Sequence, residues 1–401
     1  MNPSLKVCFM ADGHSLYDDR MYWKEALSLQ KKGCKVTILL ASEEDEQGVT
    51  EHGIEYFKVK RVSYSKKKII NYPLKKIYYR THDEMWKIAR SVRADVYHVH
   101  DYRINSFIQK IKCLPHRPKL VYDAREPVGD NFKFFHKASF LKKKFIDYFA
   151  DYLQQDEYRK VGHYDLILTV DNGLKRRFLK NLKNKRVEVL YNYTNQSGER
   201  KNIGYGNKDF DAIYCGGISE VRGFYPLLNS TRLIVREKPD YKLLLLGNIF
   251  EQELRDYLKN FIYEHKLEHN LIWIDSVRFD QVSDYYNRSR IGLNILYPSD
   301  AFKDIIQIKL FEYMNFGLPI VTSNFGEMQN YVLDNQVGMA VDPFDEKQLA
   351  GAILELLTDR DKYSLYSENG KKAVDDKYNW KLMEQQLFSW YEELINEKQS
   401  H

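Results

Sequence analysis

Short apolar runs alternate along this chain with longer stretches whose apolar positions recur every three or four residues, the pattern of parallel α/β units. In the first half the runs predict strands at Lys6–Met10, Val36–Ala41, Val96–His98, Lys119–Asp123, Leu166–Val170 and Val187–Leu190. Helical patterns fill the gaps, as over Met21–Lys32, which carries Leu27 and Gln30 in its period and stops at Gly33. A polar, glycine-containing stretch, Asn195–Asp209, reads as a linker. Strands then recur at Asp211–Tyr214, Lys242–Leu246, Leu271–Ile274, Gly292–Ile295 and Pro319–Thr322. The closing segment Trp380–Glu397 is amphipathic, with Trp380, Leu387, Trp390, Tyr391 and Leu394 in its apolar stripe. The expected organisation is two Rossmann-like domains, 1–195 and 211–379, joined by a linker at 196–210, with an interdomain cleft and a terminal helix at 380–401. In such sheets ligands belong at the carboxyl ends of the strands.

The richest segment is DIIQIKLFEYMNFGLPIVTSN, residues 304–324. Asp304 and Gln307 predict a helix start, because an acceptor at the cap and a Gln three residues on satisfy orphan N–H groups reciprocally. Ile305, Ile308, Phe311 and Glu312 continue at helical spacing. Gly317 supplies a left-handed stop, Pro319 prevents continuation, and Ile320 opens a strand. Free N–H groups, Lys309 and two carboxylates at one helix start can hold a phosphate and hydroxyls together. Read alone, Asp304 can equally be only a cap and Glu312 only a surface acid.

A second constellation is AIYCGGISEVRGF, residues 212–224. The strand ends at Cys215, Gly216 and Gly217 let the backbone approach a ligand, Ser219 can cap the next helix, and Arg222 lies near that helix start. Such a turn cradles a diphosphate, although a plain glycine-rich turn looks the same. LLLLGN, ending at Asn248, and IDSVRF, containing Val277, each close a strand where a nucleotide can pack; ordinary strand ends share that appearance. In the first half, ADGHSLYDDR (11–20), DVYHVHD (95–101) and YDAREP (122–127) each follow a predicted strand and open on one sheet edge. His98 and His100, two apart, suggest metal ligands, yet no third ligand has suitable spacing. Asp209-Phe210-Asp211 reads as surface acids flanking a strand.

At 304–324 the chain resembles the retaining glycosyltransferases of the GT-B fold, in the "glycosyl transferases group 1" (family 4-like) set. Their signature is an acid, seven residues, Glu, then an aliphatic and Gly-x-Pro. Here Asp304 replaces the commoner Glu and Glu312 matches. The diphosphate loop of such enzymes reads Gly-Arg and then Lys-Gly; here Gly217 replaces the arginine and Arg222-Gly223 occupies the second position, with Lys309 as the compensating cation. Further motifs read His-x-His-Asp and Tyr-Asp-x-His-Glu; His98, His100, Asp101 and Glu126 match, and Arg125 stands where His is common. The resemblance implies catalytic roles for Asp304, His100 and Glu126. It implies donor binding by Gly217, Ser219, Arg222, Asn248, Val277, Asp304, Lys309 and Glu312, and acceptor binding by Gly13, His14, Asp19, Arg20, Asp101 and Arg125. It further implies a nucleotide-diphosphate sugar as donor, a glycan or lipid-linked hydroxyl acceptor, retention, no metal and no cofactor, in bacterial cell-surface polysaccharide or glycolipid synthesis. A nucleotide-sugar epimerase of the same fold and a silent sugar-nucleotide-binding subunit are the alternatives.

Composition refines this. The chain has 401 residues and a net charge of +6, but residues 1–195 carry 38 basic against 24 acidic groups, a balance of +14, leaving −8 for the rest. The basic half suits anionic lipid or a phosphorylated acceptor; without a recognised module, nucleic acid is not expected. Basic and aromatic residues concentrate in Lys58–Arg80 and Phe132–Tyr152. In the latter, Phe134, Phe135, Phe140, Leu141, Phe145 and Tyr148 interleave with Lys133, Lys137 and Lys142–Lys144. That segment reads as a membrane-surface helix or a solvated one. Cys8, Cys34, Cys113 and Cys215 lack metal or disulfide spacing. No apolar run approaches the roughly 20 residues of a membrane span, and the opening run lacks a signal's length. The expectation is a cytoplasmic protein, peripheral on the inner face of the membrane.

Overall fold

Near-continuous apolar runs are the mark of strands buried on both faces, and here they build two parallel sheets. The computed structural model describes residues 5–61, 75–135, 140–195, 200–278, 281–299, 302–303 and 305–399, with side chains 75–79, 134–135, 140–142 and 397–399 left aside. The chain divides into two units, Met1–Asn192 with Met383–His401, and Tyr193–Leu382.

The first unit contains β1 (Lys6–Ala11), β2 (Lys35–Ser42), β3 (Glu46–Val49), β4 (Glu55–Lys60), β5 (Val96–Val99), β6 (Lys119–Ala124), β7 (Leu166–Thr169) and β8 (Val187–Val189). They form one sheet in the order β3-β4-β2-β1-β5-β6-β7-β8. All its pairings are parallel except β3 with β4. Two of these strands, β3 and β4, went unforeseen, because EQGV has no apolar run and EYFKVK alternates. They form the edge, where Glu46 bonds Tyr56 and Lys58 across the pair and charge discourages further pairing. The core of this unit includes Met10, Leu39, Tyr97, Val99, Leu120 and Ile167.

The second unit contains β9 (Phe210–Cys215), β10 (Leu243–Leu246), β11 (Leu271–Ile274), β12 (Ser289–Asn294), β13 (Ile320–Ser323) and the short, unforeseen β14 (Gly338–Val341). Their order is β11-β10-β9-β12-β13-β14, all parallel. Tyr214, Leu243, Leu245, Ile291, Leu293 and Val321 lie in its core. Residues 200–210 fold with this unit: Arg200 pairs with Asp375, and Arg290 stacks on Tyr205.

In both sheets the strand order reverses beside a central strand, between β1 and β5 and between β9 and β12. Connections leave in opposite directions there and open a crevice at the carboxyl ends. The loops after β1, β5 and β9 are those singled out in the sequence. The last helix, Trp380–Gln399, buries Trp380, Met383, Leu387, Tyr391 and Leu394. From Met383 onward it belongs to the first unit, where the Tyr391 hydroxyl lies 2.7 Å from His98 Nδ1. No described helix is long and apolar enough to cross a membrane.

Three local expectations are corrected. The helix at the acidic motif starts at Ile308, with Gln307 in the cap position and no side-chain cap bond, three residues after the start expected from a cap at Asp304. Ser219 precedes a single 3-10 turn, Glu220–Arg222, and makes no cap bond; the helix proper is Phe224–Glu237, entered through Gly223. The first helix begins as a wide π-helical turn, Asp19–Ala26, capped by Asp18, and continues as Leu27–Lys31 before Gly33.

Candidate functional site

In the second unit β9 ends at Cys215 and the chain turns through Gly216, whose φ of +120° favours glycine. The adjoining loop requires a second glycine: a Cβ on Gly247 would stand 2.1 Å from the Gly216 carbonyl oxygen. The Asn248 carbonyl accepts from the Ile218 N–H at 2.9 Å, and Trp273 Nε1 donates to the Gly247 carbonyl at 3.0 Å. LLLLGN thus makes a close backbone approach that shapes the loop after β9. Val277 is half-buried in the segment after β11.

Two cations crown the paired glycines. Arg222 Nη1 donates to the Gly217 carbonyl at 3.2 Å and lies 3.0 Å from where a Cβ on Gly217 would stand. Lys309 Nζ lies 3.4 Å from the corresponding point on Gly216 and 3.8 Å from the centroid of the Tyr214 ring. The guanidinium of Arg222 thus lies against Gly217, the position at which the resembled motif carries an arginine. Gly223 is fixed by packing, since a Cβ there would stand 2.7 Å from Ile295. Lys309 is 7% exposed, and among the described residues its Nζ has no hydrogen-bond partner. Burial, reinforced by the charge of Arg222, pulls its pKa down to about 7.

Glu312, one turn further along the helix, is half-buried and accepts from the Tyr286 hydroxyl at 2.6 Å. Tyr286 escaped the sequence reading, because a tyrosine 26 positions upstream carries no signal of that pairing. Asp304 lies outside the described residues.

In the first unit the loop after β1 is held by Asp101, which accepts from the N–H groups of Asp12 at 2.7 Å and Gly13 at 2.9 Å. Beside it Arg125 donates to Asp18 through both terminal nitrogens at 2.7 and 2.9 Å, and His14 Nδ1 stands 3.3 Å from Asp18. Burial pushes the Asp18 carboxyl up, but hydrogen bonds from His14 and Arg125 outweigh it and hold it well below the usual range. His14, Asp101 and Arg125 thus form one partly exposed cluster on the sheet edge. Glu126 is exposed beside it.

Three expected site residues are placed differently. Arg20 is sealed: it chelates Asp123 at 2.8–3.2 Å, lies 3.0 Å from Glu25 and donates to the Leu190 carbonyl at 2.8 Å. At 1% exposure the guanidinium is closed off from any acceptor, so Arg20 is structural. Asp19 faces Lys24 at 2.7 Å. His100 has no exposed side chain, and its Nδ1 lies 3.3 Å from Arg125 Nη2, so it positions Arg125 and does not touch a substrate.

The third residue missing from the His98–His100 pair in the sequence is Glu25. Its Oε2 lies 3.2 Å from His100 Nε2 and 3.7 Å from His98 Nε2, all buried. The imidazoles stack with centroids 4.7 Å apart and planes 14° apart, so their in-plane lone pairs run side by side and do not converge on one ion. Arg20 already neutralises this corner, and burial with Asp123 alongside pushes the Glu25 carboxyl well above its usual range. The trio is a buried cluster in which, among the described residues, neither the Glu25 carboxylate oxygens nor the two Nε2 atoms have a hydrogen-bond partner. Asp209 and Asp211 are engaged by Arg288 and Arg290, and Asp211 is buried, not a surface acid.

Residues 195–373 match the family model described as Glycosyl transferases group 1, and residues 21–196 match that of Glycosyltransferase Family 4. The chain belongs to the group 1, family 4-like glycosyltransferases. Among curated members, spore coat protein SA of Bacillus subtilis is 24% identical over 48% of this chain and 51% of its own length. The capsular polysaccharide biosynthesis glycosyltransferase CapM of Staphylococcus aureus is 25% identical over 48% of each. The chain spans about half the length of these curated relatives. Among solved structures, Anabaena HepE in complex with UDP superposes with a TM-score of 0.70 at 13% identity, covering 97% of this chain and 100% of that one. The glycosyltransferase therefore has the GT-B fold.

Proposed function

We propose that this glycosyltransferase moves a sugar from a nucleoside-diphosphate donor to a hydroxyl acceptor, with retention at the anomeric carbon. The observation that carries the reading is the pair of cations, Arg222 and Lys309, set over consecutive glycines at the reversal point of the second sheet. Cations and backbone dipoles fixed where a diphosphate departs lower the barrier to its departure. Glu312, oriented by Tyr286, is assigned the ribose hydroxyls, and Asn248 and Val277 the nucleoside. Asp304 is assigned the sugar. In the reaction the bond from C1 to the diphosphate oxygen breaks and the acceptor oxygen bonds C1 on the same face. The acceptor proton leaves on the diphosphate.

His14, Asp101 and Arg125 are assigned the acceptor, with Gly13 for close backbone approach and Glu126 at the rim. No cofactor and no metal enter this scheme. The capsular role named for CapM and the spore-coat name of the other relative support cell-surface polysaccharide or glycolipid synthesis as context. The exposed Phe145, Tyr148 and Tyr152, beside Lys143 and Lys144 on the helix Phe140–Val161, support an intracellular, peripheral membrane location.

The test is release of nucleoside diphosphate from a panel of nucleotide sugars, with and without a bacterial glycan and lipid extract, in the presence of EDTA. Acceptor-dependent release supports transfer. Isomerised nucleotide sugar without release identifies an epimerase, and binding with neither outcome identifies a silent subunit.

A further inference from the structure

Lys309 sits in the first turn of the helix Ile308–Asn315, with its ammonium nitrogen enclosed and lacking an acceptor among the described residues. Its neighbours among the described residues can be named. From β9 come the Tyr214 ring and Cys215; from the 3-10 turn comes Arg222, a like charge; from its own helix comes Glu312. Glu312 is the carboxylate of this set, and the Tyr286 hydroxyl of the helix Val282–Asn287 bonds it. The aromatic face of Tyr214 offers a cation–π contact but no hydrogen-bond acceptor. Burying an ammonium without an acceptor is unfavourable enough that the neutral amine becomes competitive. The direction given above for this lysine agrees.

Resting on the donor-site reading, we propose that Lys309 is a proton-coupled anchor: it takes a proton from solvent as the diphosphate enters and returns it as nucleoside diphosphate leaves. The step is balanced, an amine plus a proton giving an ammonium, with no other bond made or broken. A diphosphate over Gly216 and Gly217 supplies the hydrogen-bond acceptors that the empty site lacks and adds its opposite charge to that of Glu312. The device gives the site a cation when ligand is present and spares it two buried like charges when empty. It also makes product release easier at higher pH, since losing the proton removes one of the two charges that hold the diphosphate.

Calorimetric titration of the full chain with UDP, GDP, ADP and inorganic pyrophosphate at pH 8 tests this, in HEPES, Tricine and Tris, whose ionisation heats differ. At that pH the terminal phosphate of a nucleoside diphosphate, whose last pKa is about 6, is almost fully ionised and contributes little proton exchange of its own; inorganic pyrophosphate still holds a proton there and is used only to report binding. Wild type is expected to take up about 0.9 proton per site, from a lysine near pH 7 when empty and restored to its ordinary range when bound. Uptake should shrink towards pH 6.5. Lys309→Arg, permanently charged, should bind without proton exchange, and Lys309→Met should bind at least tenfold more weakly, also without exchange. A binding heat independent of buffer in wild type at pH 8, or uptake that persists in Lys309→Met, overturns the inference while leaving the donor site standing. Failure of all four probes to bind overturns the donor-site reading and this inference with it.

Discussion

The Tyr286 hydroxyl donates to the Glu312 carboxylate across 2.6 Å, from a helix that carries none of the signature residues. The bond fixes which way the acid of the motif points. Glu312→Ala is expected to lower kcat/KM for the donor by about tenfold or more, the loss of a charge-assisted hydrogen bond of roughly 1.5–3 kcal/mol. Tyr286→Phe keeps the ring against Tyr313 and Phe316 and should weaken donor binding by a smaller factor, about fivefold. Donor kinetics unchanged in both folded variants would remove the ribose assignment.

The sign of the lysine's effect on stability can be checked separately. Its pKa is about 7 in the native state and about 10.5 when unfolded. The penalty for burying the charge is therefore full below pH 7 and relieved as pH rises towards 10.5, because the unfolded state then binds more protons. Lys309→Met should raise the melting temperature at pH 6, and its advantage should shrink by up to about 1.4 kcal/mol per pH unit between pH 7 and 9. Thermal melts of both proteins across that range decide it; an advantage that grows with pH contradicts the burial argument.

Arg20 is the cation against Asp123 and Glu25 in the core of the first unit. Arg20→Leu leaves buried acids uncompensated and should destabilise by about 3–5 kcal/mol. Chemical denaturation followed by a probe in that unit reads the loss. A variant of unchanged stability that has lost only acceptor affinity would return Arg20 to the acceptor site.

Most strands were legible because burial on both faces leaves apolar runs that periodicity finds, as at Phe9, Met10, Leu244 and Leu245. The edge strand β3 and its neighbour β4 are rich in charged and polar residues, which erases that signal. The proposed anion site was half legible. Spacing exposed Gly216, Gly217, Lys309 and Glu312, because they lie within two short segments. The approach of the Arg222 guanidinium to the Gly217 carbonyl, five residues back along the chain, depends on the fold of the turn and not on spacing. Arg20 and His100 misled because a charged residue in a loop after a strand looks like a ligand contact. Their partners, Asp123 and Glu25, come from other parts of the chain. The membrane-surface segment is only partly visible: Phe134, Phe135, Lys137, Phe140, Leu141 and Lys142 fall outside the described side chains, as does most of Lys58–Arg80.

Phe145 and Tyr148, 71% and 72% exposed, stand beside the exposed Lys143 and Lys144. Sedimentation with anionic vesicles should show binding that falls as salt rises, with about 1 kcal/mol for each lysine near the surface. Lys143→Glu with Lys144→Glu should weaken it further, and neutral vesicles should bind poorly. Indifference to anionic vesicles at low salt would leave this face simply solvated and point to a soluble acceptor.

The donor site itself is tested most directly by thermal shift against UDP, GDP, ADP and dTDP, their sugar conjugates and the matching nucleosides. Ligands that bind the native state raise its melting temperature. At least one diphosphate and its sugar conjugate should raise it, the matching nucleoside much less, and Arg222→Ala should lose most of the diphosphate shift. A panel that moves nothing, or an Arg222→Ala protein shifted as strongly as wild type, would contradict the assignment of this site to a nucleotide-sugar donor.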